Sequence, residues 1–349
     1  MSFSNQKSCL LSDGLGNLYN FLWNNGNIEL IFFDKKIKQV RKRNIDTNCN
    51  MEFDGLIDEK NNIYMVYVKK DGKLVLLTRI EGQWDKKAIL EDNEKDLFYV
   101  NAVVHGDEIH TFYCKQIEDS NIYGIYHYYF KNNEWFIKEV DKIEKGEILN
   151  PIQVIKEEDK LILGYYNIVD GIEQIFIKEY DLEKENWANS IQLTSNFDKK
   201  LYLDILAENK EVLHLVYSKY KNGNLTINYE KHRLYNNKTR KIKRGILSNP
   251  ANCSFPTLAI YNNKLWTIWT EYDYVISRYS SDMGKSWSPL YRWKNTKENI
   301  FLRYKFSTND EKIKGKFKFN YSYGLGHPNI TFTGFGPLNK ATEVPLKKK

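Results

Sequence analysis

Tryptophan recurs in this chain at intervals of about 50 residues, the period seen in some repeat folds. Each of these tryptophans follows a short polar, turn-like segment, and a short strand-like segment comes after it. The four positions are Trp84, Trp135, Trp187 and Trp287. The last interval covers two periods, and segment 236–239 fills the gap without a Trp. This period, with four strands in each unit, is typical of a β-propeller.

Seven such units can be read along the sequence. Their second strands are predicted to begin near Leu18, Ile63, Ile109, Leu161, Val212, Leu265 and Ile313. The first strand of the last unit is predicted at 305–310 and its fourth strand at 342–346. We therefore predict an all-β fold, a seven-bladed β-propeller of four-stranded antiparallel blades, with six blades as the alternative. Residues 1–346 would form one domain, followed by a basic tail at 347–349.

One turn carries more specified residues than a plain hairpin needs. The segment "YSSDMGKSWSPL" contains Ser280, Asp282, Gly284 and Trp287 in the order S-x-D-x-G-x-x-W. Asp and Ser side chains bond backbone amides within turns, and Gly allows a positive φ. An ordinary surface hairpin is the alternative interpretation of this segment.

The segment "SSDMGKSW" resembles the Asp-box of sialidase-like (BNR-repeat) β-propellers. The resemblance implies a structural role for Ser280, Asp282, Gly284 and Trp287. It also implies an arginine triad and an R-I-P motif if the chain were a sialidase, but the sequence contains no R-I-P. Arg303 alone is placed just before an inner strand. We therefore predict no catalytic residue.

The mouth of a propeller channel is the expected binding surface, because loops converge there. One position at the predicted mouth is polar in every unit. These residues are Ser8, Asp54, Asn101, Gln153, Asp204, Thr257 and Lys305. They could simply line a watery channel, or they could hydrogen-bond a small polar ligand. Arg303 and the cluster Glu271, Tyr272 and Asp273 complete the predicted ligand-binding set, since carboxylates hold hydroxyls and rings stack on sugars.

These features favour a non-catalytic recognition protein that binds a carbohydrate or a protein partner at the channel mouth. A glycoside-active enzyme, sialidase-like or another glycosidase, is the first alternative. Its atypical carboxylate pair would come from Asp54, Asp204, Glu271 and Asp273. A structural or assembly protein is the second alternative.

The net charge of +7 comes partly from two basic segments, 35–43 and 238–244. Both are predicted to be outer strands. Their charges could discourage aggregation of exposed sheet edges, or they could contact an anionic polymer. No nucleic-acid motif accompanies them, so nucleic acid is not an expected partner.

The remaining features exclude several classes. The four cysteines show no C-x-x-C spacing, so we expect no metal and no cofactor. The start of the chain has no apolar signal-like segment, and no run approaches the ~20 apolar residues of a membrane span. We therefore expect a monomeric cytoplasmic protein, and the Lys-, Asn- and Ile-rich composition resembles that of bacteria with AT-rich genomes.

Overall fold

A computed structural model of the protein describes residues 3–91, 96–235, 238–328 and 330–346. The predicted tail at 347–349 and residues Asn236 and Asn237 of the predicted turn lie outside this description. The chain divides into two compact units. We call them unit A (Met1–Asn5, Gly146–Arg303 and Lys316–Lys349) and unit B (Gln6–Lys145 and Tyr304–Gly315).

The fold is all-β, as predicted, with 66% of residues in strands and 3% in helices. The first twelve strands are β1 (Phe3–Ser12), β2 (Leu18–Asn24), β3 (Asn27–Asp34), β4 (Gln39–Asp46), β5 (Cys49–Ile57), β6 (Ile63–Lys69), β7 (Lys73–Ile80), β8 (Gln83–Glu91), β9 (Leu97–His105), β10 (Glu108–Gln116), β11 (Ile122–Lys131) and β12 (Glu134–Glu144). They make three antiparallel sheets in unit B, ordered β1-β2-β3-β4, β5-β6-β7-β8 and β9-β10-β11-β12.

Three further sheets lie in unit A. Their strands are β13 (Gln153–Lys156), β14 (Lys160–Val169), β15 (Ile172–Asp181), β16 (Asn186–Trp187), β17 (Ile191–Gln192), β18 (Lys200–Asn209), β19 (Val212–Lys221), β20 (Asn224–Tyr235), β21 (Lys238–Ile246), β22 (Cys253–Tyr261), β23 (Lys264–Glu271), β24 (Tyr274–Ser280) and β25 (Leu290–Trp293). The sheet orders are β13-β14-β15-β16 with β17 beside β15, then β18-β19-β20-β21, then β22-β23-β24-β25.

The remaining elements are short. They are α1 (Asn295–Glu298), β26 (Phe301–Thr308), α2 (Glu311–Lys314), β27 (Phe317–Lys318), β28 (Tyr321–Leu325), β29 (Thr331–Thr333), a 3-10 helix (Leu338–Lys340) and β30 (Ala341–Val344). Strand β26 lies beside β1, β27 pairs with β22, β28 pairs with β29, and β30 pairs with β25. Neither α-helix in the described ranges has the length and apolar character needed to cross a membrane.

Burial falls steadily from the second strand of a sheet to its fourth. In β6, "IYMVYVK", every residue but the last is buried. In β21, "KTRKIKRGI", every residue but Thr239 is exposed. A strand covered on both faces reads as a continuous apolar run, whereas an exposed edge is protected from aggregation by charge. The sequence pattern therefore distinguishes inner from outer strands.

Neighbouring sheets within each unit pack face to face through apolar cores. In unit B, Phe21 and Tyr67 lie in one core and Tyr113 lies in the next. In unit A, Ile205 and Trp269 lie in the two corresponding cores. All five side chains are at most 2 % exposed. Burial of such large apolar groups supplies about 1.5–3 kcal/mol each, so these interfaces are the main source of stability.

The recurring tryptophans all pack on other aromatic rings. Trp84 contacts Phe21 of the preceding sheet in an edge-to-face arrangement of the two rings, with ring centroids 6.4 Å apart. Trp135 stacks on Tyr128 of its own sheet at 4.7 Å. Trp187 packs on Tyr180 of its own sheet at 5.1 Å. The repeat in the sequence is thus a repeat of aromatic contacts at the outer strands.

The turn at 280–288 is held by its own side chains. The Asp282 carboxylate accepts hydrogen bonds from the Ser280 hydroxyl at 2.7 Å and from the Ser286 backbone N–H at 2.8 Å. The Gly284 N–H donates to the Ser280 hydroxyl oxygen at 2.7 Å. The Ser286 hydroxyl also donates to the Asp282 carboxylate, and the hydrogen bonds to this carboxylate, that of the Ser286 hydroxyl first among them, lower the pKa of Asp282. The side chains of Ser280, Asp282 and Ser286 thus hydrogen-bond within the turn, and the predicted structural role of the turn stays a prediction.

The same turn also rests on the preceding sheet of unit A. Trp287 contacts Tyr229 of β20 edge to face at 4.9 Å. The Lys231 ammonium donates to the Met283 carbonyl at 3.0 Å. Gly284 has φ +89°, and a Cβ there would collide with the Tyr229 hydroxyl. Glycine is therefore required twice at this position, by backbone conformation and by close packing.

Six of the seven predicted second strands begin within one residue of their predicted positions, and the seventh prediction is wrong. Ile313 lies in α2, because Asp310 caps the helix by accepting the Lys312 N–H and Gly315 follows its end. Strand β30, predicted as the outer strand of a seventh blade, instead pairs with β25. The described residues form six sheets of at least four strands, so seven blades are not confirmed.

We expect Gly284→Ala to destabilise unit A more than Gly223→Ala. Both glycines have positive φ, +89° and +77°, but no atom lies within 4 Å of a Cβ built at Gly223. The control, Gly223→Ala, should lower the free energy of unfolding by about 1–2 kcal/mol because of backbone strain. Gly284→Ala should lose at least about 2 kcal/mol more, because Tyr229 must move. Urea denaturation measures both, and equal losses would show that the turn does not depend on Tyr229.

Candidate functional site

The polar residues predicted at the repeated position are mostly buried. Ser8, Asp54, Asn101, Gln153, Asp204 and Thr257 are each at most 4 % exposed, and Lys305 is half-buried. Buried polar groups are stable only when hydrogen-bonded. The partners of these side chains therefore decide whether they hold a ligand or hold the fold.

Several of these side chains connect neighbouring first strands. In unit B, Asp54 accepts the backbone N–H of Ala102 at 2.7 Å. In unit A, Gln153 accepts the N–H of Ile205 at 2.8 Å, and Asp204 accepts that of Leu258 at 2.6 Å. In each case the donor follows the equivalent polar residue of the next sheet. The polarity of Asp54, Gln153 and Asp204 is thus explained by structural hydrogen bonds, and a ligand role for the seven positions stays a prediction.

The acidic groups of unit B are also paired with lysines. Lys305 forms an ion pair with Asp54. Lys7 pairs with Glu52 at 3.3 Å, and Glu52 also accepts the Val100 N–H at 3.1 Å. Asn101 donates to the Tyr99 carbonyl at 2.7 Å. These contacts give the predicted residues of unit B structural roles.

The position two residues before the polar one is more exposed and more strained. It holds Tyr99 in β9, Tyr202 in β18 and Phe255 in β22, and each of these is half-buried. Their φ values are 54°, 56° and 50°. Bulky residues rarely adopt positive φ, and such strain gathers at functional sites. The strand register shifts at all three places, so these are β-bulges.

Two of these strained residues meet in unit A. The rings of Tyr202 and Phe255 lie 4.2 Å apart. The Tyr202 N–H reaches the Asn150 side-chain oxygen at 3.4 Å, and Asn150 donates to Glu173 at 2.9 Å. Tyr323, which is fully buried, donates from its hydroxyl to the Phe255 carbonyl at 2.6 Å. The strained backbone is therefore fixed by hydrogen bonds beneath it.

Arg303 extends this group. Its guanidinium lies 4.1 Å from the centre of the half-buried Tyr321 ring, in a cation–π contact. Burial raises the pKa of Tyr323, and the charge of Arg303 opposes this rise. Arg303 therefore lies close enough to that tyrosine for their charges to interact. The buried Nε–H of Arg303 has no hydrogen-bond partner within the described residues. We name Tyr202, Phe255, Arg303, Tyr321 and Tyr323 the aromatic–arginine cluster.

A buried carboxylate lies next to this cluster. Complete burial raises the pKa of Asp204 to about 7. The Arg303 charge, the Leu258 N–H and the Gln153 amide, which donates at 2.6 Å, oppose that rise. Asp204 therefore changes charge near neutral pH, although ordinary Asp side chains are ionised there.

The predicted cluster at the β23–β24 turn does not act as one group. Glu271 faces inward and accepts the Trp269 indole N–H at 2.9 Å and the Cys253 thiol at 3.4 Å. Burial raises its pKa. Tyr272 is 71 % exposed, and Asp273 is exposed beside it. This turn and the Asp282 turn lie at opposite ends of the same sheet.

The sequence prediction included Asp204 and Arg303 but missed the aromatic residues around them. Tyr202 and Phe255 could have been found, because both stand two residues before the repeated polar position. Tyr321 and Tyr323 lie inside the predicted seventh unit, whose second strand was wrongly predicted, and no pattern in the sequence linked them to Arg303. Across the described ranges, no group of three or more His, Cys, Asp or Glu side chains could hold a metal ion.

Comparison with known proteins establishes a similar fold only. No protein-family model and no curated protein matches the chain. An ulvan lyase of a polysaccharide lyase family aligns with 93 % of this chain and 94 % of its own, at 10 % identity and a TM-score of 0.57. The same lyase has been solved bound to a glucuronic acid–sulfated rhamnose unit, at a TM-score of 0.56.

Two other solved structures are more distant. A Lactobacillus plantarum protein aligns over 82 % of both chains, at 9 % identity and a TM-score of 0.53. A lectin from Aleuria aurantia, in complex with a fucosylated N-acetylglucosamine, aligns over 81 % of this chain and 94 % of its own, at 12 % identity and a TM-score of 0.48. The likeness to the lyase shows that this all-β chain has a fold of the propeller type.

We expect Asp204→Asn to remove a pH dependence of stability. The carboxyl has a pKa of about 7 when folded and about 3.9 when unfolded. The folded state binds more protons in this window, so the free energy of unfolding falls as pH rises from about 4 to about 7, by at most about 4 kcal/mol.

Urea denaturation at several pH values measures this slope. The control Asp273→Asn changes an exposed carboxylate in the same unit and should behave as the wild type. An unchanged slope in Asp204→Asn would contradict the assignment of the shift to this residue.

Proposed function

We propose that the protein is a β-propeller that recognises carbohydrate through the aromatic–arginine cluster of unit A. The observation that carries this proposal is the half-buried Arg303, held against Tyr321 with a buried N–H that has no acceptor among the described residues. An unpaired buried donor costs about 1–3 kcal/mol. A ligand hydroxyl, ring oxygen or carboxylate would bind the part of this half-buried guanidinium that solvent reaches.

The neighbouring rings favour a sugar over a protein partner. Tyr202 and Phe255 present half-buried aromatic faces, and sugar rings place their C–H groups against such faces. A few polar groups among apolar walls are typical of small-ligand sites. An ulvan lyase with this type of fold acts on a polysaccharide, so the fold is compatible with carbohydrate ligands.

The finer features of the fold belong to the same proposal. We regard residues 1–346 as one propeller domain, with β26, β28 and β29 as an incomplete seventh blade. The turn at Ser280, Asp282, Gly284 and Trp287 is an Asp-box that stabilises the fold and takes no part in binding. The protein acts as a monomer in the bacterial cytoplasm.

We expect Arg303→Gln to weaken glycan binding by about 1–3 kcal/mol, because a charged hydrogen bond is lost. A glycan array identifies the ligand, and calorimetry measures the affinity. Arg292→Gln is the matched control, since Arg292 makes a similar cation–π contact with Tyr274 at 4.9 Å on the outer strand β25. Equal losses in both variants would contradict a site at Arg303.

A glycoside-active enzyme is the second candidate, and one observation favours it. Because the pKa of Asp204 is about 7, a large fraction of this carboxyl is protonated at neutral pH, as a general acid in glycoside hydrolysis must be. The same carboxyl is buried and bonded to Gln153 and Leu258. Catalysis would therefore require that a substrate reach it past Arg303.

Turnover assays separate the two candidates. If Asp204 is the acid, a panel of chromogenic glycosides should include a substrate that the wild type hydrolyses. Asp204→Asn should then lose at least about 100-fold in kcat, the usual contribution of a general acid, with little change in glycan affinity. Glycan binding without turnover of any glycoside would leave recognition as the function.

A further inference from the structure

Two outer strands carry dense positive charge, but their surroundings differ. In β4 of unit B every basic side chain has a partner. Arg41 contacts the Gln39 amide oxygen at 3.5 Å, Lys42 pairs with Glu29 at 2.8 Å, and Arg43 lies 5.8 Å from the Trp84 ring centre. The charges of β4 are therefore accounted for by contacts within the fold.

The basic side chains of β21 in unit A are mostly unpaired. Its cationic residues are Lys238, Arg240, Lys241, Lys243 and Arg244. Lys241 pairs with Glu230 at 2.8 Å. The other four have no ion-pair or hydrogen-bond partner in the part of the chain that the structure describes, and all four are exposed.

The strand register adds a repulsion to this charge. Arg240 lies directly opposite Arg233 of β20, whereas Lys243 lies opposite Lys231, whose charge is already paired with Glu208 at 2.7 Å. Arg233 is also exposed and has no partner among the described residues. Like charges placed opposite each other destabilise a sheet. An anion bound at β21 would remove this cost, whereas β4 contains no equivalent pair in its register with β3.

We propose that β21 is a docking edge for a linear acidic polysaccharide, independent of the aromatic–arginine cluster. The strand is nine residues long, roughly 30 Å at about 3.3 Å per residue, so it matches an extended polymer. Guanidinium groups bind carboxylates and sulfates through paired hydrogen bonds. The charges lie along an open edge, where a chain can pass without entering a pocket.

Other polyanions fit this edge less well. Proteins that bind single-stranded nucleic acid line a groove with several aromatic rings on which bases stack. Strand β21 contains no aromatic residue and is the outermost strand of its sheet. A membrane surface would favour large apolar groups beside the charges, and β21 offers only Ile242 and Ile246, which are 48 % and 37 % exposed.

Two triple variants test the proposal, and each removes three positive charges. One changes β21 (Arg240→Gln, Lys243→Gln and Arg244→Gln), and the matched control changes β4 (Arg41→Gln, Lys42→Gln and Arg43→Gln). Binding to heparin and to polygalacturonate is measured at several salt concentrations. The β21 variant should lose at least tenfold in affinity and show a smaller salt slope, whereas the control should stay within about threefold.

A single variant covers the possibility that the triple change disturbs folding. Arg240→Gln should raise Tm, because it relieves the repulsion with Arg233, and should still weaken heparin binding at least threefold. Equal losses in the two triple variants would show that only net charge matters and would overturn the proposal. Tighter binding to single-stranded DNA than to either polysaccharide would also overturn the proposal. The same holds if the wild type binds neither polysaccharide at 0.15 M salt.

Discussion

The fold of each unit depends on hydrogen bonds between the first strands of neighbouring sheets. Burial of Ile, Leu and Phe side chains strongly favours the packing of two sheets face to face. It does little to fix the position of one sheet relative to the next. A buried Asp or Gln that must accept one particular backbone N–H fixes that position. Asp54 with Ala102, Gln153 with Ile205 and Asp204 with Leu258 show the same geometry in both units. An error in position would leave a buried carboxylate unpaired, at a cost of several kcal/mol.

This constraint also explains where the strained residues lie. A first strand must present one polar side chain to the next sheet while the residues before it enter from a loop. The β-bulges at Tyr99, Tyr202 and Phe255 allow the strand to change direction just before that contact. The aromatic side chains then lie nearer the surface than the buried polar residues. In unit A the hydrogen bonds beneath them fix their position, so the site we propose is ordered in advance, and such order lowers the entropic cost of binding.

Much of the fold could be predicted from the sequence because its signals are local. Inner strands such as β6 read as continuous apolar runs, and outer strands such as β21 read as charged ones. Six second strands were predicted to within one residue for this reason. The seventh failed because the repeat period placed a strand near Ile313, whereas the local sequence favours a helix. Asp310 and Gly315 supply helix-capping residues, and the capping prevailed. The later pairing of β30 with β25 is a long-range contact that no local pattern encodes.

The candidate site could be predicted from the sequence much less well than the fold. The repeated polar position was visible in the sequence because its members share polarity, and at Asp54, Gln153 and Asp204 that polarity serves a structural hydrogen bond. The residues two positions earlier differ in kind, so a periodic search passes over them: they include Glu52, Tyr99, Tyr202, Phe255 and Arg303. Among these, Glu52 is bonded to Lys7 and Val100. Arg303 keeps a buried donor without an acceptor in the described structure. The residues that hold the fold thus lie where the units agree, and the site we propose lies where they differ.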